Sequence, residues 1–177
     1  SGKKLFHFLL PLYQSATPAE MRMVKAACLL HDTTWRAHPD YRAEVCFDNA
    51  TRANLGGLSH SERVFLGLAL LHRYKSARTG SRLENLFSLL NESQIASAEV
   101  LGRAMRFGAM FAFRSLEEAG ALEVDRAAGS LSLKLSPLGA DLFGEVAEAR
   151  FGSLASALGL TPAVIRPEAA KPPRKRK

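Results

Sequence analysis

Two helix-start signatures, Thr17-Pro18-Ala19-Glu20 and Ser59-His60-Ser61-Glu62, constrain this chain more than any other feature. In each, a hydroxyl residue at the N-cap accepts from the N3 amide while the N3 glutamate reaches back to the N-cap amide. Two donors that a helix end leaves unpaired are thereby satisfied locally. Proline at the first helical position of the earlier signature adds a preset φ where no helical N–H bond is lost. The signatures predict helices from Pro18 to about His31 and from His60 to about Lys75. Spacing puts Met21, Val24, Cys28 and His31 on one face of the first, and Val64, Leu68, Leu71, His72 and Lys75 on one face of the second.

The remaining pattern is also helical. Leu5 to Gln14 reads as a short amphipathic helix, kinked or ended near Pro11. His38-Pro39-Asp40 resembles a helix start, with a helix from Tyr41 to about Asn54 placing Tyr41, Val45 and Asp48 along one stripe, ended by Leu55-Gly56-Gly57. Ser76 to Ser81 reads as a basic loop and Arg82 to Leu90 as a short helix. Ser93 to Ala119 is the longest helical run, closed by Gly120, and is the expected central core helix. Its Met105, Met110, Phe111 and Phe113 are assigned to core or to a dimer interface. Alternation in residues 121–125 and 131–135 about Gly129 predicts a β-hairpin. Pro137 to Leu158 reads as a last helix, with Leu138, Leu142, Val146, Ala149, Leu154 and Leu158 as an imperfect apolar stripe.

Composition decides between neighbouring classes. Of 177 residues, 47% are hydrophobic and 8% aromatic, which suits one mostly α domain with a core that needs no disulfide. The net charge of +7 is mostly terminal: six cations against Glu168 in residues 161–177, plus Lys3 and Lys4. The body is neutral but polarised, with thirteen cations and nine anions in residues 5–114 and three against seven in 115–160. A basic face therefore belongs to the first two thirds. The expected organisation is a helical domain over residues 1–160 and a disordered basic tail over 161–177, where Pro, Ala and cations dominate. Cys28 and Cys46 lack CxxC or zinc spacing and read as reduced core residues. The apolar run after Lys3-Lys4 is too short for a membrane span and is interrupted by Pro11. A cytoplasmic protein without a membrane partner is expected.

Four of five histidines, the single Trp and both cysteines fall between Ala26 and Lys75. Three strings there, Ala26-Ala27-Cys28-Leu29-Leu30-His31-Asp32, Trp35-Arg36-Ala37-His38-Pro39-Asp40-Tyr41-Arg42 and Leu71-His72-Arg73-Tyr74-Lys75, resemble the C-terminal region of bacterial exopolyphosphatases, in the family they share with guanosine pentaphosphate phosphatases. Val146 to Arg150 and Leu154 to Gly159 are similar to the close of those chains. The resemblance implies an HD-like helical domain behind N-terminal actin-like domains that remove terminal phosphate from polyphosphate with a divalent metal such as Mg. It implies that this chain is the accessory part, which lengthens the substrate channel and helps form a homodimer.

An active HD phosphohydrolase needs an early His, a His-Asp pair and a distant Asp around one metal with an open position for water. Only His31-Asp32 matches, so these two are the metal candidates and a helix-end hydrogen-bonding pair is the preferred reading. A polyanion track needs arginine forks and lysine charges along a groove. Its candidates are Arg36, His38, Arg42, His60, His72, Arg73, Lys75 and Arg78, each of which taken singly is equally well a solvated surface charge or, for His72, a core histidine. Trp35 is assigned to packing. Two competitors stand beside this reading. One is an autonomous metal phosphohydrolase. The other is a winged-helix-like nucleic-acid module, opposed by a hairpin (Glu123, Asp125, Arg126, Lys134) that is not net basic.

Overall fold

The computed structural model describes residues 1–77, 84–111 and 116–168, apart from the side chains of Leu116 and Glu117. Helix α1 (Gly2–Leu9) runs into a 3₁₀ turn at Leu10–Tyr13, where Pro11 ends the α pattern. Helix α2 covers Pro18–Leu30, α3 Arg42–Arg52 after a 3₁₀ turn at Pro39–Tyr41, and α4 His60–His72. A 3₁₀ stretch at Glu84–Leu89 precedes α5 (Glu92–Phe111) and the short α6 (Leu116–Ala119). Strands β1 (Gly120–Asp125) and β2 (Ser130–Leu135) lead to α7 (Pro137–Leu142), α8 (Glu145–Ala157) and β3 (Thr161–Ile165). The architecture is mostly helical with one small sheet.

Both predicted capping boxes form in full at Thr17/Glu20 and Ser59/Glu62. The Ser59 amide donates to Glu62 at 2.8 Å, which with Arg22 at 3.1 Å holds that carboxyl below its ordinary range. The Arg22–Glu62 pair also ties α2 to the start of α4. Asn91 and Gln94 make a third, uncharged box that opens α5.

Helix α4 is the centre of the bundle. Val64, Leu66, Leu68, Leu70 and Leu71 are all buried, so it is enclosed on every side by neighbours that include α3 and α5. Helix α5, expected as a central core helix, packs against α4 and also against α1 and α8. Gly102 permits that approach: a Cβ there would overlap His72 Cβ and lie 2.8 Å from the Ala69 carbonyl oxygen. Phe8, Phe107, Phe111, Phe143 and Phe151 join α1, α5 and α8 in one ring cluster with neighbouring centroids 5.5–6.5 Å apart. Met105 and Phe111 are core residues as assigned, while Phe113 lies outside the described residues.

Three expectations are corrected. In α3 the buried face is Ala43, Cys46, Phe47 and Ala50, and Tyr41, which belongs to the 3₁₀ turn before the helix, is exposed. The last helix is two helices, interrupted at Phe143–Gly144, so Leu138, Leu142 and Val146 face solvent while Phe143, Ala147, Phe151 and Leu154 are buried. The segment from Thr161, expected as disordered tail, forms β3, which pairs in parallel with β2 and makes the sheet order β1-β2-β3. Gly159, at φ +68, turns the chain back, and the Thr161 amide then donates to Gly129 O at 2.8 Å. The hairpin itself forms where predicted, pairing Gly120 with Leu135 through Asp125 with Ser130, with Gly129 at φ +65 in its turn.

Candidate functional site

The loop between α2 and α3 is held from three sides. Arg42 Nε donates to Ala37 O at 2.9 Å and its Nη2 to Trp35 O at 2.8 Å. The buried Thr34 hydroxyl lies 2.9 Å from Cys46 Sγ, and the Tyr74 hydroxyl donates to His31 O at 2.8 Å. Arg42 thus staples the loop through two backbone carbonyls. Arg36 is exposed and lies over the Trp35 ring at 4.8 Å. Trp35 is itself 57% exposed, so it is not the packing anchor expected. His38 is exposed beside Asp40, at 3.5 Å.

His31 caps the end of α2 with its ring partly enclosed. Burial, and after it the Arg73 charge, lower its pKa to about 4 against a weaker opposing effect of Asp32. Its Nδ1 is enclosed and meets no hydrogen-bond partner in the described structure. Asp32 points to solvent. Among the described residues no three His, Cys, Asp or Glu side chains come together as a metal would require. His31 and Asp32 alone do not fit a catalytic divalent ion, which needs several fixed ligands. Cys28 and Cys46 are buried free thiols, and burial raises Cys28 to about 12, far from a reactive thiolate.

The other anticipated residues separate. His60 is the first residue of α4 and His72 the last, about 18 Å apart along the axis at roughly 1.5 Å per residue. His60 thus stands away from the group it was expected to join. Arg78 lies outside the described residues.

His72 and Lys75 instead belong to a cleft of about 520 Å³ between the end of α4, the middle of α5 and the first turns of α8. Arg103, Arg106 and Arg150 line it with them, and Glu145 is the one carboxylate among its described lining residues. His72 is buried, with Nδ1 3.1 Å from Lys75 O, so the turn that carries Lys75 into the cleft is fixed. Arg103 is fixed too, donating to Ser153 O at 3.0 Å and Glu99 Oε1 at 2.5 Å. Arg106 has no such carboxylate. It reaches Ser76 Oγ at 3.4 Å, and burial, then the Arg150 and Arg73 charges, push its pKa down. Arg73 lies on the Tyr74 ring at 4.7 Å, with Nε enclosed and without a hydrogen-bond partner, and burial lowers its pKa first.

Arg106 is thus partly removed from water, with the Arg150 and Arg73 charges near enough to disfavour its ionisation. An anion in the cleft would relieve that repulsion and offer acceptors to several guanidinium donors. Sequence reasoning missed Arg103, Arg106 and Arg150. Glu99, Arg103 and Arg106 do form a polar stripe at helical spacing along α5, but nothing local in the sequence joins that stripe to Arg150. On the hairpin, by contrast, Lys134 is paired with Glu123 at 3.4 Å.

No helix in the described residues is long and apolar enough to cross a membrane. The profile of the exopolyphosphatase C-terminal domain family matches residues 10–165. A comparison with curated proteins finds no match.

Proposed function

The chain belongs to the exopolyphosphatase C-terminal domain family, and we propose from that premise that it is the accessory domain that holds polyphosphate for N-terminal catalytic domains of the same protein. Those domains would carry the divalent metal, such as Mg, and direct water at the terminal phosphoanhydride. The residues described here would grip the polymer behind the reacting end. The observation that supports this reading most is the Lys75–Arg106–Arg150 cleft with Arg73 beside it, where like charges meet with little carboxylate to neutralise them. A phosphate polymer repeats its charge along its length, so a cationic groove binds it through many weak, salt-screened contacts. Of the residues first expected, His72, Arg73 and Lys75 enter this reading.

Self-association is the second half of the proposal. Leu138 and Leu142 are 41% and 47% exposed on α7, an apolar surface suited to a second copy.

The decisive experiment measures polyphosphate affinity of the chain across a salt series, for the parent, for R106E/R150E, and for a truncation after Glu168 that keeps β3. The expected result is a loss of at least about tenfold in R106E/R150E with a shallower salt slope, and a smaller effect of truncation. Unchanged affinity in R106E/R150E, with the helical circular dichroism intact, would remove the cleft from the function. Phosphate release by the chain alone with added metal would instead favour an autonomous hydrolase.

A further inference from the structure

The second and third residues of three helices meet around one pocket of about 270 Å³: Ala19 and Glu20 of α2, Ser61 and Glu62 of α4, Ser93 and Gln94 of α5. Each third residue closes its own capping box, Glu20 on the Thr17 amide at 3.0 Å, Glu62 on Ser59 at 2.8 Å and Gln94 on Asn91 at 2.9 Å. The walls are therefore first turns already held in place, which lowers the ordering cost of a ligand. Met23, Val24 and Leu101 are buried and form the floor, with Tyr13 and Phe65 as aromatic walls, while Glu20, Ser93 and Gln94 are exposed at the rim. The Tyr13 hydroxyl is enclosed and meets no hydrogen-bond partner in the described structure, so the lining holds polar capacity that the chain itself leaves unused.

Charge decides what such a pocket takes. Three helix N-termini would ordinarily attract an anion. Here the capping side chains already use that attraction, and Glu20 and Glu62 are the only charged side chains among the described lining residues. Arg22 pairs with Glu62 at 3.1 Å, but no cation pairs with Glu20 among the described residues. Negative charge at the rim above an apolar and aromatic floor suits an apolar body with a cationic head, which aromatic rings favour further.

We propose that this pocket binds a small organic cation, its apolar or aromatic body against Tyr13, Met23 and Phe65 and its ammonium or amidinium at Glu20 and Glu62. The site is independent of the polyanion cleft, which is basic and lies at the other end of α4: Ser61 and His72 are about 16 Å apart along the axis at roughly 1.5 Å per residue.

The test titrates the full chain with phenethylamine, with neutral 2-phenylethanol and with anionic phenylacetate, following amide shifts by heteronuclear NMR. Phenethylamine is expected to shift Ser61, Ser97 and Leu101 and to bind at least about fivefold more tightly than either control, the difference shrinking as salt is raised. E20Q/E62Q should erase that preference while both capping boxes persist, since glutamine also serves at N3. S97W, at an exposed lining position, should fill the pocket and abolish binding, with circular dichroism verifying the fold of each variant. Phenylacetate or 2-phenylethanol binding as tightly as the amine would overturn the proposal, as would amine binding untouched by S97W or shifts confined to residues outside the pocket.

Discussion

Tyr74 and His31 stand 43 positions apart and are joined by one hydrogen bond, the phenol donating to the backbone carbonyl at 2.8 Å. That carbonyl is among those a helix leaves unpaired at its C-terminal end, so a residue just beyond α4 completes α2.

Tyr74→Phe should lower stability by about 1 kcal/mol, since it deletes one partly buried hydrogen bond and leaves its acceptor unpaired. Urea denaturation reads the loss, and amide exchange over residues 31–37 should quicken. Equal midpoints for the two proteins would show that water replaces the phenol at no cost.

Gly102→Ala tests the α4–α5 approach. The added methyl would overlap His72 Cβ and press on Ala69 O, both on a buried helix. The helices must part, at an expected cost of about 2–3 kcal/mol despite the better helix propensity of alanine. A neutral or stabilising result, by thermal unfolding, would show that the interface yields easily.

Acid should weaken the fold through His31. Its pKa is about 4 when folded, with burial the main cause, against roughly 6.5 unfolded. Above pH 6.5 the ring is neutral in both states and has no influence. As pH falls from 6.5 toward 4 the unfolded chain binds a proton that the folded chain refuses, so stability declines across that window and levels off below it. His31→Gln should flatten this part of the stability curve. A slope unchanged by the substitution would assign the acid response to other groups.

Glu145 opposes the cations it faces across the cleft. Glu145→Gln should tighten polyphosphate binding by about two- to tenfold at low salt, with the gain fading as salt is raised. Weaker binding would mean that the carboxylate orients a cation and does not merely repel the polymer.

What could be read in the sequence follows the range of the forces involved. The starts of α2 and α4 were legible because each capping box is closed within four residues. The β1–β2 hairpin was legible because alternation and Gly129 specify it locally. β3 was not, since its parallel partner lies about thirty positions away and Pro162 weakens its strand signal. The phase error in α8 has a local cause, the two-residue break at Phe143–Gly144, since each residue out of helix turns every later side chain through about 100°. Of the site, His72, Arg73 and Lys75 were visible as a basic helix end. Arg106 and Arg150 were not, because their meeting depends on α5 and α8 packing side by side.

Pro162 has a consequence for how the molecule meets its own kind in a crowded solution. Because the Thr161 amide points toward β2, alternation along the strand turns the nitrogen of Pro162 to the outer edge, where it carries no hydrogen to donate. An incoming strand would find that rung missing. The β3 edge is thereby blunted against edgewise growth, and the same proline that hides β3 from a reader of the sequence guards the molecule against polymerisation through it.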